Sequence, residues 1–314
     1  MSRDLTRLPR RHGGARRGAP RTFTLALSVL AMGVLTGGNC SRARVESISA
    51  MNEGIVYAQS QRTIDAIKKL ERATAIDPSN DQAFYNLALV HIESRSFERA
   101  KDALRQAITV NGDVAGYHEK LGTVLTQLEE PDWAGAKEAF EAAIAKDPEL
   151  FKAYFKLAQV HEELEEPQEA LQRYTECIEH GPRFVEAYAA LGRLYATPRY
   201  PDLHYYDEAV QVLESGLEVS MQGTEEEARL HHLLGTVYQD QGQFDAAIRE
   251  FRAALEVVPS MPDALFSLGM AFAYTGDKEE GRRFLKKFVD SAGENVPPHY
   301  RKAAQDRLVE LGVN

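Results

Sequence analysis

The chain has 314 residues, 27% of them charged and 44% hydrophobic, with a formal net charge of −10. That charge is split. Residues 1–39 hold seven arginines and one acid, a net of +6, which leaves −16 on the remainder. An acidic body repels phosphate backbones and so excludes nucleic acid as the expected partner. The two cysteines, Cys40 and Cys177, give neither a disulfide framework nor zinc-ligand spacing.

In chain order, the first 21 residues are arginine-rich and the next fifteen, 22–36, form an apolar run. Gly37, Gly38, Asn39 and Cys40 follow. A basic head, an apolar stretch of this length and small residues behind it predict a secretory signal peptide over 1–39. The run is shorter than the ~20 residues a spanning helix needs. Cys40 directly behind it resembles the lipidated cysteine of a bacterial lipobox. The match departs in two places: Leu35 stands two positions too far upstream, and Asn39 replaces a small residue. Lipidation of Cys40 with residues 40–46 as a tether is one expectation. Cleavage after Gly38, leaving Cys40 as a free thiol, is the other. A single acyl chain holds a protein only marginally on a membrane, whereas two or more anchor it. The segment implies export to the periplasm or outer membrane of a Gram-negative-type bacterium, with a membrane contact through the lipid.

Beyond residue 46 the sequence repeats with a period near 34, so the repeat governs the fold reading. Residues 231–259 show the unit most clearly: Leu234-Gly235, Tyr238, Gly242, Phe244, Ala247, Phe251, Ala254 and Pro259. Small residues at Gly235, Ala247 and Ala254 let two antiparallel helices approach. Tyr238, Phe244 and Phe251 fill the space between them, and Pro259 stops the second helix. Earlier copies carry Gly54/Ala66/Leu70/Ala73, Ala88/Ala100/Leu104/Ala107, Gly122/Ala136/Phe140/Ala143, Ala158/Ala170/Tyr174/Cys177 and Gly192/Ala209/Leu213. The seventh copy carries Gly269 and Leu285, with Gly281 and Phe288 in place of alanines. Cys177 reads as a small core residue at an alanine position.

This pattern closely resembles the tetratricopeptide repeat family. The resemblance implies an all-α, right-handed superhelical solenoid of about seven repeats over residues 47–296. Residues 297–314, with Tyr300, Ala303, Ala304, Leu308 and Leu311, are expected to form a helix that caps the open end of the array.

No catalytic constellation stands out. His161-Glu162-Glu163 lacks the second histidine of a zinc-peptidase helix. His91 and His161 occupy the interior aromatic position of their repeats and are expected to be satisfied core residues. His231 and His232, being adjacent, point to different faces of a helix. There is no glycine-rich phosphate loop, and no metal, cofactor or small-molecule substrate is expected.

In the family the first helix of each repeat lines a concave groove, so the resemblance assigns groove positions. Asn52 and Asn86 resemble rungs of a backbone-gripping amide ladder. Met51, Ile55, Tyr85 and Phe155 are expected as exposed apolar anchors. Lys120, Lys152 and Lys156, with Arg193, form a basic spot to which a carboxylate could dock, although Glu119, Glu162 and Glu186 lie near enough to neutralise it. The fifth repeat carries an aromatic insertion with Tyr200, His204, Tyr205 and Tyr206. It reads either as a partner loop or as a loop packed back on the array. The expected function is a scaffold that binds protein or peptide segments and assists assembly of an envelope complex. Small lipoproteins of this family that pilot secretin pores share the layout. The alternative is a non-catalytic subunit that recruits an envelope polysaccharide or cell-wall enzyme.

Overall fold

The chain divides into two units, Met1–Asn39 and Cys40–Asn314. The computed structural model describes residues 42–197, 205–291 and 296–312, all in the second unit. The signal-peptide reading and Cys40 lie outside the described residues. The described residues form fifteen α-helices and no strand.

Fourteen of the helices make seven antiparallel pairs. The first three pairs are α1 (Arg42–Gln59) with α2 (Thr63–Ile76), α3 (Asp81–Glu93) with α4 (Phe97–Val110), and α5 (Ala115–Leu125) with α6 (Trp133–Lys146). Next come α7 (Phe151–Glu163) with α8 (Pro167–His180), and α9 (Val185–Tyr195) with α10 (Tyr206–Val219). The last two are α11 (Glu225–Asp240) with α12 (Phe244–Val257), and α13 (Pro262–Thr275) with α14 (Lys278–Ser291). Each pair packs on the next, and α15 (Pro298–Glu310) packs on α14 and α13. This is a tetratricopeptide-type solenoid, in which stability comes from neighbouring units rather than one central core. Odd-numbered helices also touch one another directly, as α1 on α3 and α9 on α11. They therefore form the inner, concave side.

The small residue of each first helix does the work expected of it. A Cβ on Gly122 would lie 2.7 Å from Cε1 of Phe140, and one on Gly235 would lie 2.6 Å from Cε1 of Phe251. Phe140, Phe251, Tyr174, Leu70, Leu104 and Leu213 are fully buried in these contacts. Cys177 is buried too, and burial pushes its thiol up to about 12, which leaves it protonated and inert. The start of the array adds a buried polar knot. Ser47 Oγ donates to the carbonyl of Ala73 at 2.8 Å and accepts from Asn80 Nδ2 at 2.9 Å. Asn80 also caps α3 through Ala83 N–H.

Two expectations need correction. The proposed tether 40–46 is in part helical, because α1 begins at Arg42 and Arg42 pairs with Glu46 at 2.8 Å one turn later. The ion pair of Arg42 and Glu46, four residues apart, supports helix over this stretch. In the capping helix, Ala304, Leu308 and Leu311 are buried, but Ala303 and Tyr300 face outward. Tyr300 still meets Phe266 edge-on at 5.2 Å.

In five of the repeats a left-handed residue stands seven positions after the small residue. Gly242 (φ 74°) and Gly276 (φ 89°) meet this without strain, whereas Gln61 (57°), Arg95 (56°) and Glu165 (58°) adopt it with a Cβ. A Cβ there costs about 1–2 kcal/mol, offset in part by the greater freedom of glycine when unfolded. Arg95→Gly is therefore expected to stabilise the array by about 0.5–1 kcal/mol, read as a higher urea midpoint. A lower midpoint would contradict the strain argument.

Candidate functional site

The inner face of repeats two to four, on α3, α5 and α7, carries the densest set of predicted site residues. Tyr85 is half-buried and its ring lies 4.8 Å from that of Tyr117. Burial raises its hydroxyl above the ordinary tyrosine range, with Lys120 and Glu119 close enough to act on it. Asn86 is half-buried and donates from Nδ2 to the carbonyl of Gln82 at 2.7 Å. Part of its amide is thus committed to its own helix.

Glu119 is buried on α5 and pairs with Lys120 at 3.0 Å. The charges of Glu119, Lys120 and Lys152 all bear on Lys156. Burial holds Lys156 below the usual lysine range, Glu119 pulls it back up, and the two lysines push it down further. Neither Lys152 nor Lys156 has a carboxylate at ion-pair distance among the described residues. Glu119 thus pairs with Lys120 and also bears on Lys156. Arg193 does not join them. It is held by Glu162 through two hydrogen bonds, 2.9 and 2.8 Å, and the Tyr174 hydroxyl donates to the same carboxylate. The expected neutralisation therefore holds for Arg193 and Lys120 but not for Lys152 and Lys156. Sequence spacing could not separate these cases, because Glu162 reaches across a repeat boundary.

The apolar anchors are less exposed than expected. Met51 is buried, with 7% of its surface exposed, and belongs to the core of the first repeats. Ile55 is partly buried against the same core. Phe155 is half-buried between Tyr174 (5.5 Å) and Phe184 (5.0 Å). Met51 is covered by the core it shares with α2 and α3, and Phe155 by residues of α8 and of the turn after it. Asn52 is exposed on α1, away from the lysine cluster. Of the insertion, Tyr200 and His204 lie outside the described residues. Tyr205 packs edge-on against Tyr195 at 6.1 Å, and Tyr206 packs against the Ala209–Leu213 cluster. These two tyrosines pack back on the array.

The histidines are structural, with one correction. His161 Nδ1 bonds to Glu166 at 2.6 Å, but its Nε2 has no partner, and Nδ1 of buried His91 has none either. They are core residues that are only partly satisfied. His231 bonds to Glu250 (2.8 Å) and His232 to Ser267 (3.1 Å), on different neighbours. Among the described residues no group of three or more His, Cys, Asp or Glu side chains is placed to hold a metal ion.

Tetratricopeptide repeat family models match residues 54–94, 81–114, 126–176 and 232–296, together more than half of the chain. The chain belongs to the tetratricopeptide repeat family. Solved structures of the same fold include the C-terminal part of a TPR repeat-containing protein from Cytophaga hutchinsonii, with a TM-score of 0.64 and 15% identity, covering 82% of this chain and 99% of that one. PilF of Pseudomonas aeruginosa aligns with a TM-score of 0.54 at 18% identity, covering 71% of this chain and 97% of that one. YrrB, described as a TPR protein with an unusual peptide-binding site, aligns with a TM-score of 0.51 at 21% identity, over 62% of this chain and 95% of its own. At these identities the likeness is one of fold. Among curated proteins, a BBSome complex member BBS4 homolog of Drosophila melanogaster is 33% identical over 79 residues, 25% of this chain. The match spans 16% of that relative's length. The tetratricopeptide array is a protein-interaction scaffold, a use that fits its inner groove.

Proposed function

We propose that this tetratricopeptide array takes up an acidic segment of another protein in its inner groove, at Tyr85, Lys120, Lys152 and Lys156. The observation that carries the reading is the pair of lysines, Lys152 and Lys156, that has no carboxylate at ion-pair distance among the described residues. A half-buried cation with like charges beside it is destabilised until an anion arrives. An acidic side chain or a chain-terminal carboxylate supplies that anion with charge-assisted hydrogen bonds, and Tyr85 gives an apolar floor beside it. The rest of the array is acidic, so the groove discriminates by where its positive charge lies rather than by total charge.

We place this scaffold in a bacterial envelope, exported by the segment 1–39 and held to a membrane through lipid on Cys40. The support is the basic head, the apolar run and the cysteine behind it. The segment bound then belongs to a protein of the same compartment, and the array assists its assembly.

The groove reading is tested with a peptide of alternating Glu and Tyr against the array by calorimetry. Lys152→Glu combined with Lys156→Glu is expected to weaken binding by about 100-fold, on the order of 1.5 kcal/mol for each charge reversed. Both side chains lie on the groove side, so the helical content should stay unchanged. Equal binding by the double variant would overturn the reading. Mass spectrometry of the mature N-terminus tests the envelope placement separately: an unmodified Cys40 would remove the anchor from it.

A further inference from the structure

The two ends of the array are finished differently. At the C-terminal end α15 covers the last pair with Ala304, Leu308 and Leu311, and turns Lys302, Gln305, Asp306 and Glu310 outward. At the N-terminal end no described element lies before α1, on the side away from α2 and α3.

One position makes the contrast plain. The residue two places after the small residue of each first helix is Val90, Val124, Val160, Leu194, Val237 or Ala271 in repeats two to seven, and all are buried, at most 5% exposed. Each is covered by the pair before it. The equivalent in the first repeat is Val56, still apolar and 58% exposed. Val45 is 57% exposed and Ile48 40%. At 3.6 residues per turn Val45, Ser49, Asn52 and Val56 form one stripe along α1, opposite the buried Ser47, Ala50, Met51 and Gly54. Ser49, Asn52, Glu53, Val56 and Tyr57 line a shallow groove of about 410 Å³ on this face.

We propose that a second copy of this chain covers the stripe, α1 lying antiparallel against α1 about a two-fold axis between Ser49 and Asn52. The stripe is complementary to itself when reversed. Val45 then meets Val56 of the other copy, and Ser49 meets Asn52, an uncharged hydrogen-bonding pair at the axis. An isologous contact needs this kind of self-match. The charges agree as well. The chain beyond residue 39 carries −16, so two copies approach with least repulsion across a neutral surface. Helix α1 offers one, with Arg42, Arg44, Glu46 and Glu53 balancing, Glu46 bound to Arg42 and Glu53 to Lys69. A head-to-tail contact would instead set the stripe against the polar outer residues of α15.

The test uses the compact unit Cys40–Asn314 with Cys40→Ser, in sedimentation velocity from 1 to 100 µM, a range suited to an interface at the small end of the size classes. A dimer is expected. Val56→Arg and Val45→Arg, both at exposed positions and so neutral for folding by circular dichroism, are each expected to weaken it about tenfold or more. The double variant Ser49→Cys/Asn52→Cys should cross-link two copies on oxidation, because Cys177 is buried. A monomer throughout the range overturns the proposal, and so does a dimer that both arginine variants leave intact. A monomer at full length that becomes a dimer on removal of 1–39 would show that the leader occupies the stripe in the unprocessed chain, and would overturn the proposal for that form.

Discussion

Phe251→Ala is expected to lower the stability of the array by about 3–5 kcal/mol, and Gly235→Val by a comparable amount. The two residues are halves of one contact. Phe251 is 0% exposed, and it passes so near Gly235 that a Cβ on the glycine would sit 2.6 Å from the ring. Truncating the ring leaves a cavity bounded by α11, α12 and α13, which the backbone closes only partly. Adding a side chain to Gly235 pushes α11 off α12 and moves the register of the following pair. In a one-dimensional array such a loss is felt as weakened coupling between neighbours. Urea unfolding followed by circular dichroism should therefore show an earlier midpoint, and the transition should broaden or split as the repeats beyond α11 separate from those before it. A loss under about 1 kcal/mol with a single sharp transition would show that the contact is not close.

The second large effect is acid sensitivity above the carboxylate range. Burial lowers the pKa of both His91 and His232 from the ordinary 6.5. Each is neutral in the folded array and ready to take a proton when unfolded. Above pH 6.5 neither state is protonated and no stability depends on pH through these groups. Below 6.5 the unfolded chain binds the protons first, so stability falls, by about 1.4 kcal/mol per pH unit for each group until its folded pKa is reached. The losses of the two groups add, each ending at its own lowered folded pKa. The paired carboxylates act lower down. Ion pairs with Lys69, Lys146 and Lys137 hold Glu53, Asp113 and Glu166 below their ordinary values. Their contribution is present above pH 4.5 and disappears only as pH falls through the depressed values. Melting temperature measured from pH 7.5 to 5.0 should thus fall in the histidine window. His91→Tyr should make the fall shallower, and the substitution should fit because tyrosine already serves at the same position as Tyr57, Tyr195 and Tyr238. A slope unchanged in His91→Tyr would assign the acid loss elsewhere.

Much of this protein is written in short-range terms. The spacing of Gly235, Ala247, Phe251 and Ala254, repeated along the chain, is a statement about which side chains fill which gap between two adjacent helices. Such gaps recur every repeat, so the sequence alone determined the all-helical solenoid, its seven pairs, the end helix and the inert Cys177. The acidic body and the basic leader were equally legible, because charge is additive. The groove was legible only as a face. The burial of Met51 and the half-burial of Phe155 depended on how closely successive helices stack. The fate of each cation depended on which carboxylate reached it. Glu162 on α7 bonds Arg193 on α9 and Tyr174 on α8, while among the described residues Lys152 and Lys156 have no carboxylate at ion-pair distance. No spacing rule within one helix contains those distances. The open stripe on α1 was hidden for the same reason. Val56 is apolar like its six counterparts, and only the absence of a described pair before it leaves its side chain exposed.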